Sequence, residues 1–141
     1  MIELLSNGAL ASVQDVGRHG HLHQGVGVAG AMDDLALAAG NLMLGNAPDA
    51  AAIEMPLFPQ SFRFHAARRF ALTGADAAAR LDGCPLPPWW VAEAAPGQVL
   101  DLAPARRGQR LYLCLQGGVD VPTVLDSRST QLRGAFGGLE G

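Results

Sequence analysis

Short runs of alternating apolar and polar residues, each closed by turn chemistry, constrain this chain more than any other feature. In residues 110–115, Leu111, Leu113 and Leu115 alternate with Tyr112 and Cys114. Period-two alternation of this kind marks a strand with at least one buried face. Residues 61–65 alternate in the same way, and 69–73 and 99–103 read as further strands. Asp82-Gly83, Ala95-Pro96-Gly97-Gln98 and Arg106-Arg107-Gly108 are turn signals between such runs. Residues 1–5 and 9–13 read as a hairpin about Ser6-Asn7-Gly8, residues 51–57 as a strand carrying Glu54, and residues 73–76 as a turn. Pro87-Pro88-Trp89-Trp90 is stiff and aromatic, and packing is its expected use. Seven or eight short strands with turns roughly every ten residues make the expected fold a mainly β sandwich or barrel.

One helix interrupts this pattern. Asp33 suits the N-cap and Asp34 the positive end of the helix dipole. Leu35, Ala38, Ala39, Leu42 and Met43 recur at helical spacing, which predicts that they form the buried face. Gly45-Asn46 is a fitting stop, so the helix is expected near residues 33–45.

Composition removes several function classes. A length of 141 residues suits one domain, 1–141, with a real core, and 49% hydrophobic against 16% charged residues argues against disorder. A net charge of -3 offers nothing to a nucleic acid backbone. All ten basic residues are arginine, so this chain holds neither a Schiff-base lysine nor a P-loop lysine. Two cysteines thirty residues apart do not suggest a disulfide framework. With no signal-like start and no apolar helical run of membrane length, the expectation is a cytoplasmic protein without a membrane span.

Two stretches look chemical. Residues 14–30 hold Gln14, Asp15 and Arg18, five glycines (17, 20, 25, 27 and 30), and His19, His21 and His23, a composition for a shaped loop. Alternate histidines share one face of a strand, but no further ligand is placed beside them, so no metal is expected. The second stretch follows the strand at 110–115. Gln116-Gly117-Gly118-Val119-Asp120-Val121-Pro122 leads to Ser127-Arg128-Ser129-Thr130, three hydroxyls around a guanidinium and a donor set suited to a carboxylate or phosphate.

These residues carry a resemblance. Ser12-Val-Gln-Asp-Val-Gly-Arg18, Gly25-Val-Gly-Val-Ala-Gly-Ala-Met-Asp33, Ala39-Gly40-Asn41-Leu42, Ala71-Leu72-Thr73-Gly74-Ala75-Asp76, Gly117-Gly118-Val119-Asp120-Val121-Pro122 and Ser127-Arg128-Ser129-Thr130 stand in family order. The chain thereby resembles the amino-terminal half of the carboxyltransferase or allophanate-hydrolase subunit 2 family. That family includes the C subunit of 5-oxoprolinase, the antagonist of the sporulation kinase inhibitor, and the carboxyltransferase region of urea amidolyase. Ala29 stands where the family usually has serine, and Asp126 where glycine is common.

The resemblance implies a partial cyclophilin-like β architecture beside an allophanate hydrolase subunit 1-like partner, the kind that forms the B subunit of 5-oxoprolinase. It implies ATP-dependent opening of 5-oxoproline to glutamate, with ATP bound together with partner subunits and the isolated chain inactive. Alternatives are a non-catalytic regulator that binds a kinase inhibitor, and a urea or amide carboxyltransferase component. Asp15, Arg18, Asp33 and Arg128 are the implied catalytic residues. Gln14, Gly117, Gly118, Asp120, Ser127, Ser129 and Thr130 are the implied substrate-binding ones. Half of such a fold would expose sheet edges and apolar faces, so self-association or a covering partner is expected.

Overall fold

The computed structural model describes residues 1–6, 10–56 and 58–139. Among these residues ten strands form two antiparallel sheets of five. The first sheet contains β1 (Ile2–Leu4), β4 (Gln60–Phe64), β9 (Val99–Leu102), β6 (Arg80–Leu81) and β7 (Cys84–Pro85), in that spatial order. The second contains β2 (Ser12–Gln14), β3 (Ala52–Met55), β10 (Arg107–Leu115), β5 (Arg68–Asp76) and β8 (Trp90–Ala94). The outcome is a sandwich rather than a closed barrel. No helix among the described residues is long and apolar enough to cross a membrane.

The alternation in β10 divides its side chains between two cores. Leu111, Leu113 and Leu115 meet Phe62, Phe64, Leu100 and Leu102 of the first sheet, with Phe70 and Leu72 beside them. Phe64 and Phe70 stack across the two layers with ring centroids 5.1 Å apart. Tyr112 and Cys114 point the other way, beneath α1 (Asp34–Met43). Burial there raises the Cys114 thiol to about 12, which keeps it inert. Cys84 is a free, exposed cysteine on β7.

The helix lies where its caps place it: Asp33 Oδ1 accepts from the Ala36 amide at 2.9 Å. Its buried face differs from the expected one. Leu35 and Leu42 are 72% and 61% exposed and Met43 is also exposed, while Ala36, Leu37, Gly40, Asn41 and Leu44 are buried. Closeness decides this. The helix rests on β5 and β10 so tightly that a Cβ at Gly40 would come 2.6 Å from Cys114 Sγ. Only glycine permits such contact at position 40, and hydrophobicity alone selected Leu35, Leu42 and Met43 instead.

Three further expectations are corrected. Residues 1–5 and 9–13 do not form a hairpin: β1 pairs with β4 and β2 with β3, so the chain crosses from one sheet to the other. The Asn7-Gly8 turn lies outside the described residues, as do Leu57 at the end of the strand read at 51–57 and the last two residues. Residues 73–76 are not a turn but the end of β5, where β10 bulges against it between Arg107 and Leu111. Trp89 and Trp90 are about half exposed, 45% and 51%; Trp90 opens β8, an edge strand with no further strand beyond it among the described residues. The Asp82-Gly83 signal does make the tight turn between β6 and β7, with φ of 47° and 81°.

Candidate functional site

The chain leaves β2 at Asp15, runs through the glycine-rich segment and returns at Ala31, whose amide donates to the Asp15 carbonyl at 2.9 Å. Arg18 N donates to Val28 O at 2.8 Å inside this loop. The two arms cross at Gly17 and Gly30, where a Cβ on Gly30 would sit 2.9 Å from the Gly17 nitrogen. The histidines do not converge. His19 Nε2 lies 3.1 Å from Val16 O, His23 belongs to the 3-10 turn Leu22–Gln24, and His21 is 4.0 Å from Asp126. Among the described residues no group of three histidine, cysteine or acidic side chains is arranged to hold a metal.

Asp15 is the node of the site. Its Oδ1 accepts from Gly17 N at 2.7 Å, Ser127 Oγ at 2.7 Å and Ser129 Oγ at 2.6 Å, and its Oδ2 accepts from Arg128 N at 2.6 Å. The Ser129 hydroxyl accepts in turn from Asp15 N at 3.0 Å. Burial alone would raise the carboxyl. The hydrogen bonds from Ser129, Ser127, Arg128 N and Gly17 N outweigh it and hold Asp15 below the ordinary carboxylate range. Residues 124–127 form the turn that presents these donors, with Leu125 and Asp126 at φ of 50° and 62°. A left-handed conformation at 126 suits glycine, and aspartate is among the side chains that tolerate it.

Arg18 behaves in the opposite way. It is 1% exposed, and its Nη2 donates to Ser129 O while Nε donates to Val124 O at 3.4 Å. The guanidinium carbon lies 4.9 Å from the centre of the Phe136 ring, which covers it. No carboxylate is paired with it among the described residues, and Nη1 is buried without a hydrogen-bond partner. A buried cation in this condition is costly unless an anion or carbonyl joins it. Gln14 shows the complementary gap. Its amide nitrogen donates to Thr130 O at 3.3 Å and Ser12 Oγ at 3.0 Å, but its buried Oε1 accepts from nothing. The unfilled donor and the unfilled acceptor thus belong to side chains held by the carbonyls of consecutive residues, 129 and 130.

The remaining candidates are placed differently. Arg128 turns its side chain away from Asp15, donating to Val121 O at 3.0 Å and lying 3.6 Å from Asp120, whose side chain is 99% exposed. Gly117 and Gly118 form an exposed turn whose amides are already taken, by Asn46 Oδ1 at 2.8 Å and Leu115 O at 2.8 Å. Thr130 N donates to Val13 O at 2.9 Å, tying this segment to β2. Asp33 caps the helix, away from the Asp15 node.

The chain and its fold match known ones. The family model for the carboxyltransferase domain, subdomain A and B, matches residues 24–141. The chain belongs to that family. It is 43% identical over its whole length to the 5-oxoprolinase C subunit of Haemophilus influenzae and 41% identical to that of Escherichia coli, covering 46% of each. It is 38% identical to urea amidolyase of Saccharomyces cerevisiae, of which it covers 8%. The Kluyveromyces lactis urea amidolyase structure superposes on 99% of this chain with a TM-score of 0.95 at 34% identity, through 8% of that chain. The chain therefore spans about half the length of the bacterial relatives it matches.

Within this carboxyltransferase domain, the fold brings Gln14, Asp15, Arg18, Ser127, Ser129, Thr130 and the Arg128 backbone together, and leaves Asp33, Gly117, Gly118 and Asp120 apart from them. Sequence reasoning passed over a second buried polar group. Glu54 Oε2 accepts from Tyr112 Oη at 2.7 Å and Met32 N at 2.9 Å, while Tyr112 Oη accepts from Asp33 N at 2.8 Å. Burial first, then Glu54, pushes the Tyr112 phenol above its ordinary range. Arg110 Nε is 3.5 Å from Glu54 Oε1, an ion pair by distance without hydrogen-bond alignment. A glutamate inside the otherwise apolar run Ala52-Ile53-Glu54-Met55 was the available signal. Such a residue needs a buried partner, and Tyr112 sits opposite it in register.

Proposed function

We propose that this carboxyltransferase domain serves in a cytoplasmic, ATP-dependent 5-oxoprolinase assembly that opens 5-oxoproline to glutamate. The observation that carries this reading is the match along the whole chain to two 5-oxoprolinase C subunits, at 43% and 41% identity, above the 38% and 36% of the urea amidolyases. The site is chemically suited to the substrate. Opening a lactam adds water across its C–N bond, and donors fixed near the carbonyl oxygen stabilise the charge that develops there. Arg18 Nη1 is such a donor, already desolvated and oriented by Phe136 and two carbonyls. Gln14 Oε1 can accept from a lactam N–H.

Asp15 is a positioning residue in this reading. Its oxygens take four donors and its carboxyl is held ionised, so it fixes the loop carrying Arg18 and the segment carrying Ser129 rather than taking a proton. Ser127 and Ser129 act through it. Arg128 and Asp120, at the surface, are available to a carboxylate or to a neighbouring subunit.

ATP does not fit the glycine turn at 117–118, because both amides that could hold a phosphate have protein partners. In this reading the nucleotide is bound together with partner subunits, an allophanate hydrolase subunit 1-like protein among them. Reconstitution with those subunits should yield glutamate from 5-oxoproline only when ATP is present. Turnover of urea with carboxybiotin, or a stable complex with no turnover, would replace this reading by the carboxyltransferase or regulatory one.

A further inference from the structure

The sandwich is sealed unevenly. On one flank, the outer strand of the second sheet, β2, is covered by this chain's own residues 129–130, since Thr130 N occupies Val13 O. On the same flank, the outer strand of the first sheet, β1, has no neighbour beyond it among the described residues. Leu5 N donates to Ser61 O and His65 N to Met1 O, so odd-numbered residues of this segment face β4. In an antiparallel ladder the alternate residues, Ile2 and Leu4, then turn their backbone groups outward. Between the two edges lies an open cleft of about 740 Å³, lined by Ile2, Val13, Ile53, Phe62, Phe64 and Leu115.

The rim distinguishes among occupants. Met1, Leu4, Leu10, Leu132 and Leu139 border the cleft and are 43–82% exposed. A small ligand could fill the cleft yet leave that ring of aliphatic side chains in water, whereas a polypeptide laid across it would cover both. Arg68 and Asp120 are the charged residues of the lining and offset each other, so no charged partner is selected. The unpaired edge of β1 asks for a strand. The bacterial relatives supply a source, for each carries about as much polypeptide again as this chain matches. We propose that the cleft seats a strand of that second unit, the equivalent of the relatives' unmatched half, supplied in the same polypeptide or in trans. The strand would pair with Ile2 and Leu4 and place alternate aliphatic side chains in the cleft.

The test co-expresses residues 1–141 with the unmatched remainder of the H. influenzae relative, then measures stoichiometry by native mass spectrometry and amide exchange in β1. A one-to-one complex that slows exchange at Ile2 and Leu4 supports the proposal. It should weaken at least about tenfold with Leu10→Asp and Leu132→Asp, exposed positions whose change spares the core, and stay intact with Leu35→Asp on the outer helix face. A homodimer broken by the same cleft substitutions overturns it in favour of a second copy. A chain that stays monomeric beside the remainder, or a complex indifferent to the cleft substitutions, also overturns it. None of these readouts depends on 5-oxoproline turnover, so failure here leaves the proposed activity to be judged separately.

Discussion

Asp15 and Arg18 stand three residues apart on one loop and are both buried, yet the structure treats them oppositely. Asp15 receives four donors from two segments of chain, whereas Arg18 has two carbonyls, an aromatic face and one nitrogen with nothing. A fully satisfied buried charge holds a fold together. A partly satisfied one is retained at a cost, and a cost of that kind is characteristic of groups that wait for a ligand.

The sharpest way to break this comparison is Asp15→Ala. It strands two hydroxyls and two amides in a buried place, and should lower stability by about 4 kcal/mol in urea denaturation. A loss under about 1 kcal/mol would mean the node is not structural. Asp15 also predicts an acid limb. Its folded pKa lies below the ordinary value of 3.8, so its contribution is fully present above that pH and is lost as pH falls through the lowered value. Asp15→Asn should flatten the dependence of the urea midpoint on pH in that range, and an unchanged slope would count against the depressed carboxyl.

Tyr112→Phe examines a second satisfied node and should cost about 1–2 kcal/mol, because Glu54 and the Asp33 amide each lose a partner. Tyr112 is the one tyrosine of the sequence, so ultraviolet titration reads it alone. The folded protein should show no phenolate at pH 10, the ordinary midpoint; half-ionisation there in the native state would contradict the burial. The smallest stability effect belongs to Arg18→Met. Removing an unpaired buried charge should change folding stability by about 1 kcal/mol or less, while glutamate formation by the assembly falls by about a hundredfold. If Arg18→Met costs as much stability as Asp15→Ala, the contrast between the two residues is wrong.

Much of this was legible without coordinates where the physics is local. The alternation in β10, the Asp82-Gly83 turn, the Asp33 cap and the Gly45-Asn46 stop each depend on residues close in sequence, and each stands where the pattern put it. The spelling of residues 12–18 and 127–130 also marked two segments that the fold brings together. What it could not assign was the use of their side chains. Ser127 and Ser129 read as donors for a ligand, and they donate to Asp15, more than a hundred residues away along the chain.

The sequence by itself determined the mainly β character, the place of the helix and the family, because periodicity, caps and motif spelling are properties of neighbouring residues. Tertiary structure alone decided which helix face is buried, that β1 and β2 lie in different sheets, and that Asp15 is satisfied while Arg18 is not. Those outcomes depend on how closely Gly40 meets Cys114 and on which distant carbonyls and hydroxyls arrive beside a buried charge, and only packing sets such distances.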